Sequence, residues 1–359
     1  MEHARRTRRA FLKAAGMAGT FGWAARRAGG LAPAVQAARP RQKIILDVDT
    51  GTDDAVALMF GALHPALELV AATTVNGNVG IEFTTENTLR VFDHIGVKIP
   101  VYRGMASPIV RSDFPVPRTG TSPFHGQYLD LPPSRSRVRE TDAVDFLIGT
   151  YSRAEGREII LVPVGPLSNV AMALKRAPRI VENIPEIVLM GGAHDMGNVT
   201  ASAEFNVWAD PEAAQVVFRS GVAKLTMVPL DATHKAQVSL EDAARLRALG
   251  TPAGTAAAAF VERRIQGYME FDKQARPAAP VHDALAVASI VNPAVISTVE
   301  AYVDVETAGA LTVGRTVVDR RGRRTAPANA RVALGADEPL FVQMLLETMA
   351  RTAGGAAGG

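Results

Sequence analysis

Four carboxylates fall within eight residues in the stretch Asp47-Val48-Asp49-Thr50-Gly51-Thr52-Asp53-Asp54. Acids brought that close repel one another, so a convergent set needs a cation or a hydrogen-bonding ligand to offset the cost. Oxygen-only donors suit a hard cation such as calcium or magnesium. A plainer role is equally open here, because an acidic first turn often only caps a helix. Polar groups recur downstream at Asn76-Gly77-Asn78, Gly165-Pro166-Leu167-Ser168-Asn169, Gly191-Gly192-Ala193-His194 and Asp231. The segment from Asp195 to Asn206 is rich in amides and carboxylates, which together can bond the hydroxyls of a sugar. Val281-His282-Asp283 adds a histidine-acid pair, in which Asp283 can be a ligand or only a helix cap.

The elements that position these groups follow from hydropathy. Ile44 to Val48 is a short apolar run of the buried parallel-strand kind, and helical periodicity resumes from Ala55, with Gly51 supplying the turn between. The runs Leu69–Val75, Ile159–Val164, Ile187–Met190 and Leu225–Leu230 alternate with helical stretches. This predicts an α/β fold, a mostly parallel central sheet with helices on both faces. In such sheets ligands bind beyond the carboxyl ends of the strands, where the polar groups gather here.

The chain ends read differently. Thr7-Arg8-Arg9-Ala10-Phe11-Leu12-Lys13 resembles a twin-arginine export signal, followed by a Gly/Ala-rich apolar stretch from Ala14 to Ala25. That stretch is shorter than the roughly 20 residues a spanning helix needs, so no stable membrane anchor is expected. Val35-Gln36-Ala37-Ala38 offers a cleavage site, giving a signal at 1–37, a single catalytic domain at 38–352 and a disordered Gly/Ala tail at 353–359. The expected partner is the twin-arginine machinery and the expected location periplasmic or extracellular. Residues 1–37 carry seven basic side chains against Glu2, so the overall +3 becomes about −3 without them. The charge therefore gives no argument for nucleic acid or anionic lipid, and the basic run Arg320–Arg324 reads as a solvated hairpin tip. Cysteine is absent, which excludes disulfides, thiolate metal sites and a cysteine nucleophile.

Taken in order, Asp47 to Ala55, Thr73-Thr74-Val75-Asn76-Gly77-Asn78, Val188-Leu189-Met190-Gly191-Gly192, Ala203-Glu204-Phe205-Asn206, Asp210-Pro211-Glu212-Ala213-Ala214 and Val281-His282-Asp283 resemble the inosine-uridine-preferring nucleoside hydrolase family. The family signature, Asp-x-Asp-x-Gly-x-Asp-Asp-Ala after the first strand, is reproduced from Asp47 to Ala55. The resemblance implies a ribonucleoside N-glycosidase whose calcium ion is held by Asp49, Asp54, Asp283 and the main-chain oxygen of Val164. The family usually has Thr at the Val164 position and often Pro at that of Thr50; neither departure removes a ligand. It implies that Asp49 is the general base acting on a metal-held water, that His282 assists departure of the base, and that Asp47 orients its neighbours. Asp53, Asn78, Asn198, Glu204 and Asn206 would bond the ribose, with Met190 beneath it and Phe205 and His125 also against substrate. A homodimer or homotetramer is implied as well. His234 reads as a structural histidine, and Tyr268 and Phe271 as either core or base-stacking groups.

Two other readings stay open. Leu46-Asp47-Val48-Asp49-Thr50 also resembles the first motif of haloacid-dehalogenase-type phosphatases, although their later Ser/Thr, Lys and acidic pair cannot be placed in order. An exported, non-catalytic nucleoside or sugar binding protein is the third. It leaves unexplained why Asp49 accompanies the other acids.

Overall fold

The computed structural model describes residues 40–111, 124–271, 273, 276–323 and 326–354. The twin-arginine segment, Arg324 of the basic run and the tail beyond Gly354 lie outside the described residues. From Pro40 onward the polypeptide packs as one compact unit.

Eleven strands are formed among the described residues, β1 (Gln42–Val48), β2 (Leu67–Thr74), β3 (Val101–Arg103), β4 (Ile159–Pro163), β5 (Ile187–Met190), β6 (Leu225–Val228), β7 (Gln237–Ser239), β8 (Ala278–Pro280), β9 (Ile296–Val305), β10 (Thr316–Asp319) and β11 (Ala330–Ala336). Nine make one sheet in the order β10-β9-β11-β6-β5-β4-β1-β2-β3. All neighbours from β11 to β3 are parallel, while β9 and β10 extend that edge antiparallel. The short strands β7 and β8 pair separately. The α/β fold expected from the alternating runs is therefore the one observed.

Period-two alternation sends β1 side chains to two apolar layers. Ile44, Leu46 and Val48 pack with the helices Thr52–Leu63, Pro252–Glu270, His282–Val291 and Glu338–Met349. Ile45 packs with Ala143–Tyr151, Ser168–Arg176 and Pro211–Phe218 on the other face. Helix Thr52–Leu63 is buried almost all round, Ala62 alone being half-buried, and His282–Val291 is buried from His282 to Ser289. The latter is thus a core helix. Burying a side chain such as Leu58 or Phe60 stabilises by about 1.5–3 kcal/mol, enough to hold a helix whose first turn is acidic.

Strand order determines where a site can form. Chain connections run outward from β1 to β2 and β3 on one side, and to β4, β5 and β6 on the other. Crossovers therefore diverge between β1 and β4, opening a crevice at their carboxyl ends. The Val164 N–H donates to the Asp47 carbonyl at 2.8 Å and the Val75 N–H to that of Val48 at 2.9 Å, so the three strand ends stay in register. Asn169 closes the back of the crevice: its Nδ2 donates to Asp47 Oδ1 and the Thr74 carbonyl, and its Oδ1 accepts from the Met105 N–H.

Asn169→Ala removes those three bonds and leaves Asp47 with one partner fewer. Chemical denaturation should show a loss of about 2–4 kcal/mol; a loss under about 0.5 kcal/mol would mean that water takes over the role.

Candidate functional site

The carboxylates at the end of β1 are separated by direction. Asp47 turns toward the second apolar layer, where Oδ1 accepts from Thr73 Oγ1 at 2.6 Å and Asn169 Nδ2 at 2.8 Å. Its Oδ2 is buried without a hydrogen-bond partner, and burial pushes its carboxyl up to about 7. Asp49 lies just beyond the strand end, where its Oδ2 accepts the Asn78 N–H at 2.7 Å. Backbone presses on it from both sides. A Cβ at Gly77 would collide with Asp49 Oδ2, and one at Gly165 would stand 2.8 Å from Oδ1, so glycine is required at both strand ends.

Asp54 sits in the first turn of helix Thr52–Leu63, fully buried, accepting N–H groups of Asp49 at 3.1 Å and Gly51 at 2.9 Å and the Asn78 side-chain amide at 3.1 Å. Its carboxyl is close enough to that of Asp49 to raise the latter's affinity for a proton. Burial and then the charge of Asp53 push Asp54 up to about 7; burial and then Asp54 push Asp49 well above the carboxylate range. Asp283, in the first turn of helix His282–Val291, is raised well above that range by burial and then by Asp53, Asp54 and Asp49.

Oxygens of Asp53, Asp54 and Asp283 come within 4.8 Å of one another. This trio differs from the expected ligand set by containing Asp53 in place of Asp49, whose main-chain N–H donates to Asp54 Oδ1 at 3.1 Å. Asp53 has a further neighbour: Arg264 Nη1 lies 2.8 Å from its Oδ1, a charge contact without hydrogen-bond alignment. Buried, oxygen-only and anionic, the cluster fits a hard divalent cation.

A cavity of about 250 Å³ opens over these acids, lined also by Asn78, Phe124, His125, Val164, Met190, Asn198, Val199, Glu204, Phe205, Asn206, Arg264, Tyr268 and His282. That is just below the roughly 300–1,000 Å³ usual for small-molecule pockets. Every residue that the resemblance assigns to catalysis, substrate or metal lines this cavity except Asp54, which is fully buried and does not reach the lining. Glu204 caps the short helix Phe205–Ala209, accepting the N–H groups of Asn206 and Val207, and also that of Gly192; burial raises it to about 7. Asn206 Nδ2 donates to the carbonyls of Val164 at 2.8 Å and Met190 at 3.2 Å. Asn198 is exposed, like Val199 beside it, and its Oδ1 accepts the Phe205 N–H at 2.9 Å.

The two cavity histidines are held neutral. His125 Nδ1 accepts the Thr52 N–H at 3.0 Å, and burial lowers its pKa to about 4. His282 is hydrogen-bonded through Nδ1 to Thr233 Oγ1 at 2.7 Å and through Nε2 to Tyr268 Oη at 2.8 Å. Burial and then Arg264 depress it well below its ordinary value. His234 is exposed and edge-on to Tyr268 at 6.1 Å, at the rim and not in the core. Phe271, 54% exposed, packs 6.5 Å from Phe124 outside the cavity lining, so of the two aromatics only Tyr268 is placed to meet a ligand.

Arg264 escaped the sequence reading, as did Thr233 as a partner of His282. The signal for Arg264 was present: it stands in line with Ala257, Val261, Ile265 and Tyr268 on one stripe of a helix, a charge among apolar positions. Thr233 had none, because its contact with His282 exists only after folding.

The family model described as "Inosine-uridine preferring nucleoside hydrolase" matches residues 44–343. The pyrimidine-specific ribonucleoside hydrolase RihB of Escherichia coli strain SE11 is 41% identical over 305 residues, covering 84% of this chain and 95% of that protein. Among solved structures, a purine-preferring ribonucleoside hydrolase from Gardnerella vaginalis is 34% identical with a TM-score of 0.79, covering 86% of this chain and 98% of its own. A plant nucleoside hydrolase is 27% identical with a TM-score of 0.80, covering 87% and 99%.

Asp47, Asp54 and Glu204 bind protons more tightly folded than unfolded, since each stands near 7 against an ordinary value of about 4. The stability they add is complete below about pH 4 and is lost as pH rises through about 7. The melting temperature of the cation-free protein should therefore fall from about pH 5 to about pH 8. A bound divalent cation should flatten that slope, and a slope indifferent to every divalent cation would contradict the cluster's role.

Proposed function

The chain belongs to the inosine-uridine preferring nucleoside hydrolase family and is an enzyme that hydrolyses ribonucleosides, and on that premise we propose that it works with calcium and uses Asp49 as general base. The observation that carries this reading is the gathering of Asp49, Asp53 and Asp283 around one cavity, with Asp54 in a cluster with Asp53 and Asp283 and with amides and Glu204 among the other lining groups.

Asp49, Asp54, Asp283 and the Val164 carbonyl would hold the ion. When bound, calcium supplies acidity to a water and a grip on the ribose diol. Asp49 is placed to take the proton, because the Asn78 N–H and the flanking glycine backbones fix its carboxylate. Asp53, Asn78, Asn198, Glu204 and Asn206 bond the sugar hydroxyls, Met190 packs beneath the ring, and Phe205 lines the rim. As the bond to the base lengthens, positive charge on the ribosyl group is stabilised by the ring of acids, and water adds at the anomeric carbon. His282, neutral and bonded to Tyr268, offers the departing base a hydrogen-bonding pair instead of a standing acid, and His125 faces the same space.

The RihB relatives favour pyrimidine ribonucleosides as the preferred substrates. Export through the twin-arginine route, supported by Thr7 to Lys13, belongs to the same proposal, as do a single catalytic domain over 38–352 and a dimeric or tetrameric assembly.

Ultraviolet-monitored hydrolysis of uridine, cytidine, inosine and adenosine by the signal-free protein should release base and ribose, fastest with the pyrimidines. Chelation should abolish turnover and calcium restore it; restoration by magnesium alone would overturn the calcium assignment. Asp49→Asn should lower kcat about 1,000-fold or more with the fold intact, and a rate near wild type would remove Asp49 from its role.

A further inference from the structure

By distance alone Asp53 is as well placed as Asp54 and Asp283 to take a cation, since the three lie within 4.8 Å of one another. What separates Asp53 is Arg264, the one lysine or arginine among the described residues lining the cavity. Its Nη1 stands 2.8 Å from Asp53 Oδ1. The guanidinium is anchored independently of that contact: Nε donates to the Pro280 carbonyl at 2.8 Å and Nη1 to Thr52 Oγ1 at 3.4 Å. Arg264 is 3% exposed and sits 5.9 Å from the Tyr268 ring centroid, so it has no room to swing away. An arginine also keeps its charge at any working pH.

We infer that Arg264 is a positioning residue that withholds Asp53 from the cation and reserves its carboxylate for a substrate hydroxyl, an assignment that rests on the calcium-dependent reading above. A carboxylate oxygen already facing a fixed guanidinium is a poor ligand for a second cation, because the two positive charges repel across one oxygen. The anchors explain why arginine is suited to the task. Thr52 leads into Asp53 and Asp54, and Pro280 leads into His282 and Asp283, so one side chain ties both acid-bearing segments together. Tyr268, one turn further along the same helix, grips His282 in the same way.

The test is calcium titration calorimetry on the cation-stripped, nucleoside-free protein, paired with uridine kinetics. In Arg264→Gln, Asp53 is released to the cation, so the calcium Kd should fall about tenfold while KM for uridine rises about tenfold. Arg264→Lys keeps the charge beside Asp53 and should hold the calcium Kd within about twofold of wild type. Asp53→Asn should raise KM by about tenfold or more yet change the calcium Kd less than about tenfold, because it removes no ligand. A purely structural Arg264 predicts the opposite sign, weaker calcium binding in Arg264→Gln, and that result overturns the proposal. Loss of calcium binding in Asp53→Asn overturns it too, by showing Asp53 to be a ligand already. If circular dichroism shows Arg264→Gln unfolded, Asp53→Asn decides the matter alone. A wild-type protein that binds no calcium fails the calcium reading itself, before any variant is compared.

Discussion

Mutual repulsion among buried acids is the constraint on which the rest of this structure depends. Asp47, Asp49, Asp53, Asp54 and Asp283 are all buried at the mouth of one crevice. Like charges at such spacing cost several kcal/mol wherever the surroundings exclude water. Each acid is answered differently. Asp47 is turned to the opposite face of the sheet and bonded to Thr73 and Asn169, Asp54 receives backbone N–H groups, and Asp53 faces Arg264. Burial and the charge of neighbouring carboxylates push Asp49 and Asp54 above the ordinary carboxylate range. A cation among these acids would offset their repulsion, which is the physical reason the cluster suits one.

This arrangement is possible because of where the strands end. Only at the point where crossovers diverge do β1, β2 and β4 present their carboxyl ends side by side. Glycines at 77 and 165 then allow main chain to close around Asp49, giving it a fixed orientation without adding another side chain. Helix Pro252–Glu270 completes the enclosure from outside the sheet. Through Arg264 and Tyr268 it holds one acid and one histidine that reach the cavity from opposite ends of the chain.

Two functions are thus kept apart in a small volume. The floor, made from first turns of two buried helices, is rigid and anionic. Toward the rim, Asn198, Val199 and Phe205 come from irregular backbone or a short helix and stand closer to solvent. In the proposed reaction the sugar contacts of Asp53, Asn78, Glu204 and Asn206 would rest on the more buried part and that of Asn198 on the exposed part, while contacts to the variable base would fall to Tyr268, His282 and His125. That division accords with a family in which relatives named for pyrimidines and for purines share one fold.

The acid motif, the parallel sheet, the location of the site at the strand ends and the family were all legible in the linear sequence. Each depends on local information: hydrophobic period, glycine spacing, and residues near one another along the chain. Asp49, Asp53 and Asp54 could be marked for that reason, and Asp283 and His282 through a recognisable neighbouring pattern. What only the tertiary structure decided are contacts between groups with no sequence relation. Arg264 beside Asp53, Thr233 beside His282 and Asn169 beneath Asp47 are such contacts, as are the burial of helix His282–Val291 and the exposure of His234 and Phe271. A side chain's partner across the fold depends on how layers stack, and that stacking is the sum of many weak apolar contacts that no single residue announces.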